Sequence, residues 1–311
     1  MRKFFYHSKD LDGIFSGVVA GLAFQDPELI GYDYGEKFDI RQCKNQIVGM
    51  ADVSLPMEDM FTLAKNAERL FWYDHHKSAF DAFVEYAKTN KIALEKTELT
   101  GLITMYEVKD LGFTYYYSSV LSGAEIVQMV EYNDYINDGI KKIIRLIGQY
   151  DTWRQGEKAL IADFDWDNGT LPFQYGMRTY TKPEDVDIYQ ISIDEKIALG
   201  KAILEYQEKI NQSIMANKFE INHNGLNILC ANSNFFNSNT FNGHYVSEIH
   251  DAMLAFVYNG NGTWKFSLYT TKDVDILSIA KCFGGGGHPQ ACGFILPNKD
   301  IKKIFPNGFQ V

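Results

Sequence analysis

Short apolar runs alternate with longer, helix-like stretches through the first three quarters of the chain, and this alternation restricts its fold more than any other feature. The runs are Phe4-Phe5-Tyr6, Ile47-Val48-Gly49-Met50-Ala51 and Leu70-Phe71-Trp72-Tyr73. A fourth, Ile143-Ile144-Arg145-Leu146-Ile147, fits a strand or a helix equally. The segments Ile14 to Phe24, Met57 to Ala67 and Ala79 to Lys88 are long enough for crossover helices. The pattern predicts an α/β fold with a mostly parallel sheet in the N-terminal domain. After Pro172 and Pro183, a polar helix over Ile193 to Lys218 reads as a linker. Beyond it the composition shifts, with twelve asparagines between Asn211 and Asn261 and strand-like runs at Leu226 to Ala231, Met253 to Tyr258 and Trp264 to Tyr269. A smaller C-terminal α/β domain with a mixed sheet is expected there. The expected division is 1–185 for the first domain, 186–219 for the helical linker and 220–311 for the second domain, in keeping with a length of 311 residues.

Composition removes several function classes. Thirty Lys and Arg against forty Asp and Glu give a net charge of −10, opposite to what tight binding of a long duplex requires. Residues 220–311 hold six Lys, no Arg and six acidic residues, so the acidic excess belongs to the earlier part of the chain. Cys43, Cys230, Cys282 and Cys292 form no C-x-x-C pair, and reduced, buried thiols are expected. The opening apolar run is too short for a signal peptide, and no stretch approaches the 18 or so apolar residues of a membrane span. A cytoplasmic protein with no membrane partner is the simplest expectation.

The acids and histidines stand at the ends of the apolar runs. Phe-Phe-Tyr leads into His7, Asp10 and Asp12; Ile47 to Ala51 leads into Asp52; Leu70 to Tyr73 leads into Asp74, His75 and His76. In open α/β sheets ligands bind at the carboxyl edge of the strands, so these residues would converge although they span some seventy positions. Asp151 would join them if its segment also reaches that edge. Each residue also has an ordinary reading: Asp10 and Asp12 before Gly13 can cap a helix, and Asp52 can end a strand. Together they form a set of carboxylate oxygens and imidazole nitrogens without thiolates, which suits manganese or magnesium better than structural zinc. Four aspartates would balance two divalent ions, and paired ions of this kind serve in-line attack at phosphorus.

These residues resemble the DHH phosphoesterases, named for the Asp-His-His that stands here as Asp74-His75-His76. His7-Ser-Lys-Asp-Leu-Asp-Gly13 looks like the first motif of that family, Ala51-Asp52-Val-Ser-Leu-Pro56 the second and Asp151-Thr-Trp153 the fourth. Phe283-Gly-Gly-Gly-Gly-His288-Pro-Gln-Ala-Cys-Gly-Phe294 looks like the glycine-histidine signature of the C-terminal DHH-associated domain. The resemblance implies that His7 and Asp10 bind one metal, that Asp12, His75 and Asp151 bind another, and that Asp52 bridges the two. It implies that Asp74 orients His75, that His76 faces the substrate or its leaving group, and that a bridging hydroxide attacks. Gly284 is placed to end a helix over 274–280, leaving Gly285, Gly286, Gly287 and His288 to hold substrate phosphate.

This chain departs from its relatives in two places. His7 and Asp10 stand one residue closer than in many of them, and no arginine follows Arg178. Lys272, Lys281 or Arg178 would have to take the place of the usual phosphate-gripping arginine. Phe235, Phe236, Tyr245 and Tyr269 lie near these motifs and could stack a base or simply pack. The expected function is a manganese-dependent phosphodiesterase or phosphatase of the oligoribonuclease or bisphosphonucleotide branch. It would act on a short oligonucleotide or small phosphorylated nucleotide through two divalent ions, most readily manganese and otherwise magnesium. The alternatives are hydrolysis of inorganic or linear polyphosphate, and metal-dependent nucleotide binding without turnover; a homodimer is left open.

Overall fold

A computed structural model describes residues 2–132, 137–154, 164–234 and 238–306, without the His288 side chain. The chain separates into two compact units, Met1–Leu204 and Glu205–Val311.

In the first unit the apolar runs become strands β1 (Lys3–His7), β3 (Ile47–Ala51) and β4 (Arg69–Asp74), joined by β2 (Glu28–Tyr32) and β7 (Phe113–Tyr117) in parallel pairings. An antiparallel pair, β5 (Glu95–Glu98) and β6 (Thr104–Val108), extends the sheet beyond β7, giving the order β2-β1-β3-β4-β7-β6-β5. Alternation along the strands fills both faces. Phe4, Tyr6, Ala51 and Tyr73 pack on one side with α1 (Leu11–Ala23), α4 (Gly123–Glu131) and α5 (Asp138–Asp151). Phe5, Val48, Met50, Leu70 and Trp72 pack on the other with α2 (Met57–Asn66) and α3 (Lys77–Thr89). Burying each large apolar side chain in this way stabilises the unit by about 1.5–3 kcal/mol. The ambiguous run at 143–147 is helix: Ile143, Ile144, Leu146 and Ile147 are buried along one stripe of α5, while Arg145 is exposed.

The strand order places the site. Because β2 lies on one side of β1 and β3 on the other, the chain leaves β1 in one direction and returns in the opposite one. Connections diverge at such a point and leave a crevice at the carboxyl ends of the strands.

A short helix α6 (Leu171–Met177) precedes the long helix α7 (Ile193–Met215), along which the division between the units falls. The second unit is a six-stranded mixed sheet of β8 (Phe219–His223), β9 (Leu226–Asn232), β10 (Ala252–Tyr258), β11 (Thr263–Tyr269), β12 (Gly286–His288) and β13 (Ala291–Pro297), in the order β12-β13-β11-β10-β9-β8. Only β9 and β10 run parallel. One helix, α8 (Ile276–Cys282), packs Ile276, Ile279 and Ala280 against Leu254, Phe266 and Phe294. The cysteines are unpaired and three are buried, but Cys282 is exposed at the end of α8 because the helix turns that face to solvent. Among the described residues no helix is long and apolar enough to cross a membrane.

Candidate metal centre

Strand β1 delivers His7 to the crevice, and the next turn starts α1. Asp10 is the N-cap of that helix, its Oδ1 accepting from Gly13 N–H at 2.9 Å, while Asp10 Oδ2 lies 2.6 Å from His7 Nδ1. The capping role and the site role are thus filled by different oxygens of one carboxylate. Gly13 is required by packing, since a Cβ there would come within 2.1 Å of His7 O. Asp12, 1 % exposed, accepts from Gly123 N–H at 2.7 Å and Ala124 N–H at 3.1 Å, the free amides that open α4. A helix N-terminus is a favourable place for a buried carboxylate.

Asp52 follows β3 with φ of 60°, a left-handed conformation that costs roughly 1–2 kcal/mol for most side chains and less for aspartate. Its carboxylate is buried and Oδ2 has no hydrogen-bond partner. From the end of β4, His75 Nε2 reaches 3.1 Å from Asp52 Oδ1, 3.1 Å from Asp151 Oδ2 and 3.9 Å from Asp12 Oδ2. Asp151 arrives from the last turn of helix α5, not from a strand end.

Two groups of converging donors result. One is His7, Asp10 and Asp52; the other is Asp12, Asp52, His75 and Asp151, with the ligand atoms of each group within 4.8 Å of one another. Asp52 belongs to both. A third overlapping group is Asp52, Asp74, His75 and His76.

The donor set suits divalent cations on physical grounds. His75 Nε2 carries at most one proton and faces three carboxylates. His7 Nδ1 sits 2.6 Å from Asp10 Oδ2 and 3.6 Å from Asp52 Oδ2. Burial, the largest influence, pushes the Asp52 carboxyl up against the pull of His7 and His75, and pushes Asp12 well up with help from Asp52 and Asp151. Burial alone would lower His7, but Asp10 and Asp52 outweigh it and raise the imidazole to about 11. The same competition raises His75 well above its ordinary value, through Asp151 and Asp52. Negative charge packed into a buried site, holding protons it would not hold in water, is an arrangement that cations relieve.

Asp74 differs from its expected role. Its Oδ1 accepts from the backbone N–H groups of His75 at 2.7 Å and His76 at 3.1 Å, and lies 2.7 Å from His76 Nδ1. It therefore orients the ring of His76, because the helix start at α3 folds that imidazole back over the carboxylate, and it meets His75 only through the main chain. His76 keeps a partly exposed side chain, and its imidazole is raised by Asp74 against the lowering effect of burial.

Sequence reasoning passed over Asp33, whose Oδ1 lies 3.3 Å from His7 Nε2. It also missed Gly123, where a Cβ would lie 2.8 Å from that of Asp52. The buried Glu125–Arg154 pair at 2.8 Å ties the start of α4 to the chain just after Asp151. None of these has a motif-like spacing from the residue it supports, and only the tertiary fold brings them together.

In the second unit Gly284 does end α8. At φ of 75° it donates to Lys281 O while Gly285 N–H reaches back to Ala280 O, a Schellman turn. The next glycines divide by cause. A Cβ at Gly285 would meet Gly293 O at 2.1 Å, and one at Gly287 would meet Ala291 O at 2.6 Å, so both answer to packing against β13. Gly286 alone has open space around the place of a Cβ. His288 lies in the backbone of β12, and its side chain is outside the described residues, as are Phe235 and Phe236. Tyr245 and Tyr269 pack beside Met253 and Phe241. Lys272 is bound to Asp251 at 2.9 Å beside a 490 Å³ hollow lined by Thr271, Pro289 and Gln290, and Lys281 is exposed.

The class of protein is a two-unit α/β chain with a converging carboxylate and imidazole site in the first unit and a six-stranded mixed sheet in the second. Residues 237–305 match the DHHA1 domain family. Over the whole chain the fold is similar to that of the pGpG-specific phosphodiesterase PggH from Vibrio cholerae, with a TM-score of 0.51, 11% identity, and coverage of 99% of this chain and 97% of that one. An exopolyphosphatase-related protein from Bacteroides fragilis aligns with a TM-score of 0.48 and 13% identity, over 98% of this chain and 90% of that one. An uncharacterized protein from Helicobacter pylori G27 aligns at 0.35 and 13%, over 99% and 98%. No curated protein matches the sequence.

Proposed function

We propose that the chain is a DHH-family phosphoesterase, a metal-dependent phosphodiesterase or phosphatase acting on short oligonucleotides or bisphosphorylated nucleotides. The observation that carries this is the pair of donor groups sharing Asp52. The DHHA1 match supports the family, and the whole-chain fold likeness to a phosphodiesterase named for the dinucleotide pGpG is in keeping with it. His7 and Asp10 would hold one ion, Asp12, His75 and Asp151 the other, and Asp52 both. Manganese is favoured over magnesium because two imidazoles join the carboxylates. Two such ions supply a hydroxide near neutral pH and neutralise charge on the phosphoryl oxygens.

The surrounding residues prepare the rest of the reaction. Asp74 engages Nδ1 of His76, which leaves Nε2 on the far side of the ring from that carboxylate. Asp74 also raises the basicity of His76 against the lowering effect of burial, and a proton at Nε2 would serve the leaving oxygen. The amides of α4 and the Glu125–Arg154 pair hold Asp12 and the end of α5 rigid, so the carboxylates keep their positions when charge accumulates. In the second unit the backbone around Gly286, with His288, would receive a phosphate group.

The test is product analysis with a 5′-phosphorylated dinucleotide, 3′,5′-bisphosphoadenosine and short polyphosphate, each with manganese and then with EDTA. Mononucleotide or phosphate from the first two, abolished by EDTA, is the expected result. Product from polyphosphate alone would replace the substrate class. No product, with two metals bound, would replace catalysis by binding.

A further inference from the structure

Helix α5 ends in an unusual way immediately after Asp151. Trp153 N–H donates to Tyr150 O at 3.2 Å, Arg154 N–H donates to Gln149 O at 3.0 Å, and Trp153 has φ of 51°. This is a Schellman turn, in which the left-handed position is ordinarily taken by glycine or asparagine. A bulky side chain there is strained, and such strain persists where the surroundings impose it. Here Arg154, the next residue, is anchored inside by Glu125, which fixes the turn and leaves the Trp153 indole 55 % exposed. Burial of apolar surface therefore does not account for a tryptophan at this place.

The turn does build an aromatic surface. Trp153 lies 5.9 Å from Tyr150 at 29°, Trp153 lies 5.4 Å from Trp166 at 24°, and Tyr150 lies 5.7 Å from Trp166 at 7°. Three nearly parallel rings thus sit together beside the residue that brings Asp151 to the metal centre. At their edge the exposed Arg178 stacks over Tyr175, 4.0 Å from its centroid, and donates from Nη2 to Tyr150 Oη at 3.4 Å. An exposed indole in an aromatic cluster, with a cation at its rim, complements a heterocyclic base carried on a phosphorylated sugar, and its rings have nothing to offer a bare phosphate chain.

We propose that Tyr150, Trp153 and Trp166 form a stacking platform for a nucleobase of the substrate, with Arg178 meeting the phosphate of that nucleotide. This rests on the phosphoester reading and deepens it, since it names the residues that meet the base and sets polyphosphate aside.

The full chain with manganese is titrated with guanosine 5′-monophosphate and with ribose 5-phosphate, following tryptophan fluorescence and heat of binding. The nucleotide quenches fluorescence and binds at least tenfold more tightly than the sugar phosphate, as stacking on one ring system predicts. Trp153→Phe keeps most of that preference. Trp153→Gly removes the ring yet suits the left-handed backbone, so a retained melting temperature shows it folded, and its nucleotide affinity falls about tenfold to a hundredfold. Equal affinity for the two ligands, or a folded Trp153→Gly chain that binds nucleotide like the wild type, would overturn the platform. Hydrolysis of a dinucleotide by the wild type is scored separately. Its absence alongside a Trp153-dependent nucleotide preference would overturn the phosphoester reading and leave the platform standing.

Discussion

The carboxyl edge of the first sheet and the glycine run of the second unit both look functional in the sequence, yet the fold treats them in opposite ways. At the sheet edge the fold leaves strain and an unmet acceptor: Asp52 Oδ2 lacks a hydrogen bond, and Asp52 occupies a left-handed backbone conformation. In the glycine run the fold absorbs nearly everything. Gly284 closes a helix, and Gly285 and Gly287 admit the backbone of β13. A residue whose features the fold already explains needs no ligand to account for it, whereas one the fold leaves strained and unpaired does.

The largest effect that would break this contrast is at Asp52. Asp52→Asn keeps the shape but removes the charge shared by both donor groups. Metal-dependent hydrolysis should fall by more than the roughly 10–100-fold lost when residues that merely support a ligand are changed. Stability should move the other way. The Asp52 carboxyl is pushed up by burial, so its ionised form opposes folding, increasingly as pH rises from the ordinary carboxylate range through its raised value. The metal-free variant should melt above the metal-free wild type at pH 7. Calorimetry in EDTA checks it, and a lower melting temperature would mean that the edge is not frustrated.

A smaller effect is expected at Asp33, which holds the far nitrogen of His7 at 3.3 Å. Carboxylates in this relation orient a ligating imidazole and strengthen it. Asp33→Asn should weaken manganese binding by about 10–100-fold, read by titration calorimetry, with the fold intact. Unchanged affinity would remove His7 from the ligand set, which is the ligand whose spacing to Asp10 departs from the family resemblance.

Much of this was legible in the sequence because it depends on local order. The runs at 47–51 and 70–73 lie within strands β3 and β4, and the end of each strand puts Asp52 or His75 at the edge without any long-range information. The strand β2 was missed because Glu28–Tyr32 holds a glycine and an exposed glutamate and pairs on one side only, so its pattern is weak. The run at 143–147 could not be resolved by periodicity because a strand and a buried helical stripe share it over five residues. Asp33, Gly123 and the stacking of Trp153 on Trp166 were invisible for a different reason: each acts on a residue distant in sequence or across a turn whose geometry no composition encodes.

The glycine run sharpens the contrast with the smallest effects, through two substitutions one residue apart. Gly285→Ala drives a methyl into Gly293 O, a backbone atom of the paired strand β13 that can yield only by shifting the sheet edge. Overpacking of this kind costs about 1–3 kcal/mol, which urea denaturation would read as a lower midpoint at unchanged slope. Gly286→Ala meets no atom within 4 Å, and its φ is not in the left-handed range, so stability should stay within about 0.5 kcal/mol of the wild type. If the run served phosphate binding through all its glycines alike, both substitutions would weaken substrate binding while sparing the fold. The structure separates them instead: loss of stability at Gly285, and at Gly286 a rise in the KM for dinucleotide without loss of stability, because at Gly286 the place of a Cβ is open space that a phosphate could enter.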